Sequence, residues 1–298
     1  MVVVFATLVV AIAAAAGVYA VWHSVPHSLK LPAPATESCT VTDDAPLPDP
    51  DPLVASVAPN PVLLDPEQMA NAATISAVGI RRGVPERAVV VALATAMQES
   101  KLYNLPEGDR DSVGLFQQRP SQGWGKPEQL SDPRYAANAF YTSLLKIKGW
   151  PQLRITEAAQ RVQRSAVPEA YQRWAVDAAV LAHAFVGNAS GAVECTVVTE
   201  PSERGATAVT NLANGVRLDW GNVRTATSTD ILGLSLSVTD SRVGWRYAHW
   251  LVAHAVERGV KRVRFGDLEW TAKGGTWAKV ASPAPSGAQQ VVAEVYPA

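Results

Sequence analysis

Apolar residues run from Val2 to Trp22 without one charged side chain, as VVVFATLVVAIAAAAGVYAVW. About 21 helical residues rising about 1.5 Å each cover a hydrocarbon core of about 30 Å, so the segment reads as a transmembrane anchor. The start lacks a basic leading region, which favours an uncleaved anchor over a removed signal peptide; Val18-Tyr19-Ala20 is the alternative cleavage site. The pattern then dissolves into LPAPATESCTVTDDAPLPDPDP, where prolines remove backbone donors and acids keep the chain solvated. Residues 23–62 are expected to be a semi-rigid spacer holding the later domains away from the membrane.

Helical periodicity begins at Asp65-Pro66, an N-cap with proline in the first turn, and stops at Gly83. Pro85-Glu86 opens a second helix, PERAVVVALATAMQES, apolar almost all round from Ala88 to Met97 and therefore predicted to be a core helix. A third starts at Asp132-Pro133 with Ala136, Phe140 and Leu144 on one stripe, a fourth at Thr156, and a fifth runs from about Glu169 to Val186 before Gly187. After Glu200-Pro201-Ser202 the period shortens. GVRLDW, DILGLSLSV, KRVRFGDLEW and QQVVAEVY read as strands, and Gly244 to Arg258 as an amphipathic helix stopped at Gly259. The expected fold class is α+β: a mainly helical domain at 63–202 and a small α+β domain at 203–298, behind an N-terminal anchor at 1–22.

Composition narrows the function. The chain of 298 residues is 48% hydrophobic and carries a net charge of −1, so it has material for a sizeable core. It has no basic surplus that would favour nucleic acid as a partner. Its two cysteines, Cys39 in ESCTVT and Cys195 in VECTVVT, share a local context that suggests a matched pair of strands or turns. In an oxidising compartment a bond between them would close a long loop and stabilise the fold by about 4–5 kcal/mol in the chain-entropy model; the alternative is two free thiols. No CxxC or Cys/His cluster points to zinc, and neither a metal nor another cofactor is expected.

The core helix finishes in Gln98-Glu99-Ser100, which puts a carboxyl group where an apolar element meets a loop, a setting suited to a general acid. That loop, LYNLPEGDRDSVGLFQQRPSQGWG, is rich in amides, carboxylates and indole, groups that bind sugars by hydrogen bonding and stacking. Gln98-Glu99-Ser100 followed by Gly114-Leu115-Phe116-Gln117 resembles the ES…GLMQ pattern of lytic transglycosylases in the lysozyme superfamily. The longer wording, DRDSVGLFQQRPSQGWGKPEQLSDPRYAANAFY with AAQRVQRSAVPEAY, is similar to lysozyme-like domains of exported actinobacterial cell-wall proteins over about residues 64–186.

The resemblance implies Glu99 as catalytic acid, with Ser100, Gln117 and Gln118 beside it. It implies cleavage of the β-1,4 bond after N-acetylmuramic acid in peptidoglycan glycan strands. A lyase needs one carboxylate. A hydrolase needs a second about 5–9 Å away, for which Asp109 and Asp111 are the candidates; their alternative role is in loop turns. The tyrosine-bearing AYN-Gly segment of the family is absent, and Val162-Gln163-Arg164-Ser165 with Tyr171 is its nearest stand-in. Gln163 and Tyr171 are read either as the far cleft wall or as helix surface and core. Trp124 is a stacking platform or a loop anchor, and His183 a core histidine.

The C-terminal module resembles, distantly, zinc D-alanyl-D-alanine peptidases, whose S-x-H-x-x-G-x-A-x-D reads here as Thr210-x-Leu212-x-x-Gly215-x-Arg217-x-Asp219. Leucine stands at the first ligand position, and His249 and His254 are spaced i,i+5, so a peptidase reading fails on ligand supply. The module is expected to bind wall peptide or a cell-envelope protein, the alternative being a purely structural role. The whole is expected to be a single-pass membrane protein facing outward from about residue 23 that cuts peptidoglycan. The alternative is a noncatalytic lysozyme-fold protein that binds peptidoglycan or acts as an envelope scaffold.

Overall fold

The structure, a computed structural model, describes residues 37–43, 51, 54–55, 60–228, 231–280 and 289–298. The expected anchor and most of the expected spacer lie outside them. Among the described residues no helix is long and apolar enough to cross a membrane. Within the Pro-rich stretch, Ser38–Val41 forms β1, the centre of a three-stranded antiparallel sheet between β2 (Val62–Leu64) and β3 (Val193–Thr196). Cys39 faces Cys195 in register, and the two are joined by a disulfide. The similar cysteine contexts are thus paired strands.

Helix α1 (Pro66–Arg81) begins where expected. Asp65 Oδ1 accepts from Gln68 N at 2.9 Å, Asp65 N donates to Gln68 Oε1 at 3.0 Å, and Pro66 occupies the first turn. Helix α2 (Glu86–Ser100) is the axle of the helical half, with every side chain from Ala88 to Met97 buried. Around it pack α1, α4 (Pro133–Leu144, after the short α3, Pro127–Leu130), α5 (Ile155–Gln163) and α6 (Ala175–Phe185). The expected fifth helix is divided: residues 168–174 are a 3₁₀ segment, and the α-helix starts at Ala175. Pro168 and the tight turn before it set a geometry that only relaxes to α after Trp174.

Beyond β3, α7 (Gly205–Trp220) leads through β4 (Thr225–Ser228) and β5 (Gly233–Ser237) to α8 (Ser241–Ala253) and the short α9 (Ala255–Arg258). The chain ends in β6 (Val260–Phe265), β7 (Leu268–Thr271), β8 (Trp277–Lys279) and β9 (Gln290–Val295). These strands make one antiparallel sheet in the order β4-β5-β9-β6-β7-β8. The fold is therefore α+β. One expected strand is corrected: GVRLDW is the end of α7. Gly205, Ala208, Leu212, Gly215, Val216 and Asp219 are its buried positions, a three-to-four spacing that a six-residue window reads as alternation. Gly215 lets the Arg258 guanidinium approach, with Nε only 2.7 Å from where a Cβ would sit.

The two halves share one hydrophobic core, with α8 packed on α1 and α6 on one side and on β6 and β9 on the other. A polar knot ties them. Asp219, fully buried, accepts from Arg134 Nε at 2.5 Å on one oxygen, and from Thr74 Oγ1 at 2.9 Å and Trp250 Nε1 at 2.8 Å on the other. A buried carboxylate without partners would be strongly unfavourable, and three donors from α1, α4 and α8 compensate for its desolvation.

Candidate functional site

The end of α2 is built to hold Glu99 at a surface. Lys101 and Leu102, at φ 57° and 65°, follow in the left-handed conformation, and their N–H groups return to Met97 and Ala96, which stops the helix abruptly. Glu99 is left half-buried in the last turn. Ser100, buried, points the other way: its Oγ donates to Leu115 O at 2.8 Å and lies 3.1 Å from Ala96 O. Ser100 is thus a clamp between helix and loop and does not line the cleft.

The loop it grips is a tight hairpin. Val113 and Gln118 exchange backbone hydrogen bonds at 3.0 and 3.2 Å around Gly114-Leu115-Phe116-Gln117. Phe116 is buried and stacks on Phe140 with centroids 4.8 Å apart, and Gln163 Nε2 donates to Phe116 O at 2.8 Å. Gly114, at φ 77°, permits the turn and would meet Leu130 O with any side chain. Gln117 itself is left-handed at φ 47°, an uncommon conformation for a residue with a side chain, with its Nε2 on Gly114 O at 3.0 Å. Its Oε1 lies so close to Gly108 that a Cβ there would sit 1.7 Å away.

A cleft of about 620 Å³ opens beside this hairpin, lined by Glu99, Asp109, Arg110, Ser112, Gln117, Gln118, Arg119, Gln122, Trp124, Gln163, Arg164, Ser165 and Ala166. Of the residues expected from sequence, Glu99, Gln117, Gln118, Trp124 and Gln163 come together on it. Gln118 is buried; its Nε2 donates to Ala136 O at 3.2 Å, and its Oε1 has no hydrogen-bond partner among the described residues. Trp124 sits where this cleft continues into a second lobe. Tyr171, wholly buried, does not line the cleft but meets it from behind, its hydroxyl donating to Glu99 Oε1 at 2.6 Å. Burial and that hydrogen bond push the phenol well above its ordinary range, so the hydroxyl remains a donor.

The two aspartates separate. Asp111 accepts from Ser121 N at 2.8 Å and Ser121 Oγ at 3.0 Å, bonds that hold its carboxyl below the usual range, and it does not line the cleft. Asp109 does line it and is paired with Arg119 Nη2 at 2.7 Å. Sequence reasoning passed over Ser112, Arg119 and Gln122, although Arg119 and Gln122 lie in the same amide-rich run. Their spacing in the chain does not disclose which side of the loop faces inward.

In the C-terminal half, His249 Nδ1 is 2.9 Å from Ala184 O, and its Nε2 accepts from Ala192 N at 3.0 Å. His254 lies 2.8 Å from Trp250 O and 3.3 Å from Thr74 Oγ1, with its ring stacked on Trp250. Asp219 is held by its three donors. These groups serve the core. Among the described residues no group of three or more His, Cys, Asp or Glu is arranged to hold a metal ion. No protein-family model matches the chain, and no curated protein matches it.

Proposed function

We propose that this chain cleaves peptidoglycan glycan strands as a lytic transglycosylase-like enzyme, with Glu99 as its single acid and base. The observation that carries the reading is Glu99 at the end of a buried helix, backed by the Tyr171 hydroxyl and opening onto a cleft of amides and one indole. With Tyr171 on Oε1 and no protein donor on Oε2 among the described residues, one carboxyl oxygen is oriented and the other is left for substrate.

In the proposed reaction Glu99 gives its proton to the glycosidic oxygen as the bond to C1 breaks. The resulting carboxylate takes the proton of the sugar's own 6-hydroxyl, whose oxygen closes on C1, so the acid is regenerated and the product is an anhydro sugar. The amides of Gln117, Gln122 and Gln163 on the cleft wall suit a ligand rich in acetamido groups. The engagement of Asp111 by Ser121 and of Asp109 by Arg119 favours the one-carboxylate route over hydrolysis. Residues 2–22 would tether the enzyme in the membrane with the cleft outside the cytoplasm, and the C-terminal half would hold wall peptide or an envelope protein.

Digestion of purified sacculi by the full-length protein, with product masses read afterwards, tests the reading. Anhydro-muropeptides are expected, and Glu99→Gln should abolish them while circular dichroism and thermal stability persist. Reducing-end products would assign a muramidase. Binding without products would assign a noncatalytic glycan binder, and full turnover by Glu99→Gln would remove Glu99 from the chemistry.

A further inference from the structure

The cleft does not end at Trp124. Through Gln122, Trp124, Gln163 and Arg164 it continues into a second lobe of about 610 Å³, reached between the end of α4 and the end of α5. Three of the residues lining this lobe are cations, Lys146, Arg161 and Arg164, and none is an acid. Among the described residues none of the three has a carboxylate within ion-pair distance, whereas Arg154 on the same helical region is paired with Glu157 and Glu169, and Arg119 in the first lobe with Asp109. Arg164 is also held in the left-handed conformation at φ 53°, its N–H donating to Gln160 O at 2.8 Å to close α5. Glycine fits such a helix end more easily than a residue with a side chain. Here the position carries a guanidinium that lines both lobes.

Resting on the glycan reading of the cleft, we infer that this second lobe is an anion-recognising subsite for the carboxylates that muramyl residues carry, on the stem peptide or, where no peptide is attached, on the lactyl group. Uncompensated cations lining a cavity attract a carboxylate, and guanidinium groups bind it through paired N–H donors. Trp124 at the junction offers a flat apolar surface to the sugar between the lobes. The subsite would discriminate charged wall strands from neutral chitin-type glycans, which the first lobe, with its cations Arg110 and Arg119 next to Asp109, does not do by charge alone.

The test is calorimetric binding by full-length Glu99→Gln protein of three probes of equal length: a neutral N-acetylglucosamine oligomer, a muramyl-peptide strand with free carboxylates, and that strand with its carboxyls amidated. The free-carboxylate strand should bind about tenfold more tightly than the amidated one, as expected for a few exposed charge contacts each worth a few-fold, and the preference should shrink with added salt. Adding Lys146→Gln and Arg161→Gln, at two positions that line the second lobe and not the first, should remove most of the preference and leave the neutral oligomer's affinity unchanged, while Lys146→Arg with Arg161→Lys should keep much of it. Equal binding of charged and amidated strands overturns this inference alone. Binding of none of the probes overturns the glycan reading and this inference with it.

Discussion

The hydroxyl of Tyr171 donates to Glu99 Oε1 at 2.6 Å across 72 residues of chain. The phenol ring is buried against the core, so it cannot swing away, and the hydrogen bond fixes the carboxyl plane at the mouth of the cleft. Tyr171→Phe keeps the ring and removes only that bond. A hydrogen bond to a charged group contributes about 1.5–3 kcal/mol, so kcat on glycan strands is expected to fall roughly 10- to 100-fold with KM little changed. Steady-state kinetics decide it: an unchanged kcat would make the contact incidental.

Gly108 and Gln117 form the second close relationship of the site. A methyl group at 108 would occupy the space of Gln117 Oε1, so Gly108→Ala must displace that side chain. Because Gly108 is exposed, the expected cost in stability is small, within about 1 kcal/mol, while glycan binding weakens markedly. Parallel thermal melts and binding isotherms check it. Equal affinity in the variant would take Gln117 out of the binding surface.

The bond between Cys39 and Cys195 spans a sequence separation of 156 and holds β1 to β3. Replacing both cysteines with alanine should lower the unfolding free energy by about 4–5 kcal/mol, chiefly by freeing the unfolded chain. Urea midpoints of the oxidised, reduced and double-alanine proteins measure this. Coincident midpoints would show that the strand pairing alone holds the ends.

Two buried histidines predict opposite pH dependences. His183 Nδ1 lies 2.9 Å from Glu86 Oε1 and its Nε2 3.6 Å from Asp43, with Asn188 and Arg242 also facing it; the Glu86 hydrogen bond raises its pKa against the opposing effect of burial. Its contribution to stability is therefore complete below about pH 6.5, the unfolded value, and is lost as pH rises through the higher folded value. His249 is pushed down to about 4 by burial, so its contribution is present above the unfolded value and is lost as pH falls toward 4. Urea midpoints across this range should show His183→Gln flattening the alkaline decline and leaving the acid limb in place. An unaltered alkaline limb would assign that decline to other groups.

Local signals carried much of the fold. Asp65-Pro66 marks the start of α1 because capping and a proline first turn need only neighbouring residues. The run from Ala88 to Met97, apolar but for Thr95, identifies α2 as the axle because burial on all sides leaves no polar face. The shared contexts of Cys39 and Cys195 point to a matched pair of strands, and the Gln98-Glu99-Ser100 ending places an acid at the rim of the core. What packing alone decided are partnerships between distant residues. Glu99 and Ser100 are adjacent in sequence, yet one faces the cleft and the other clamps a hairpin, because the helix turns by about 100° between them. Asp219, in a segment read as strand, becomes the buried acceptor of Arg134, 85 residues earlier. A carboxylate's identity does not disclose which donor folding will bring to it, since that depends on how α1, α4, α7 and α8 converge. The basic lobe has the same origin: Lys146, Arg161 and Arg164 come from separate stretches of sequence, and it is the ends of α4 and α5 that set them around one cavity.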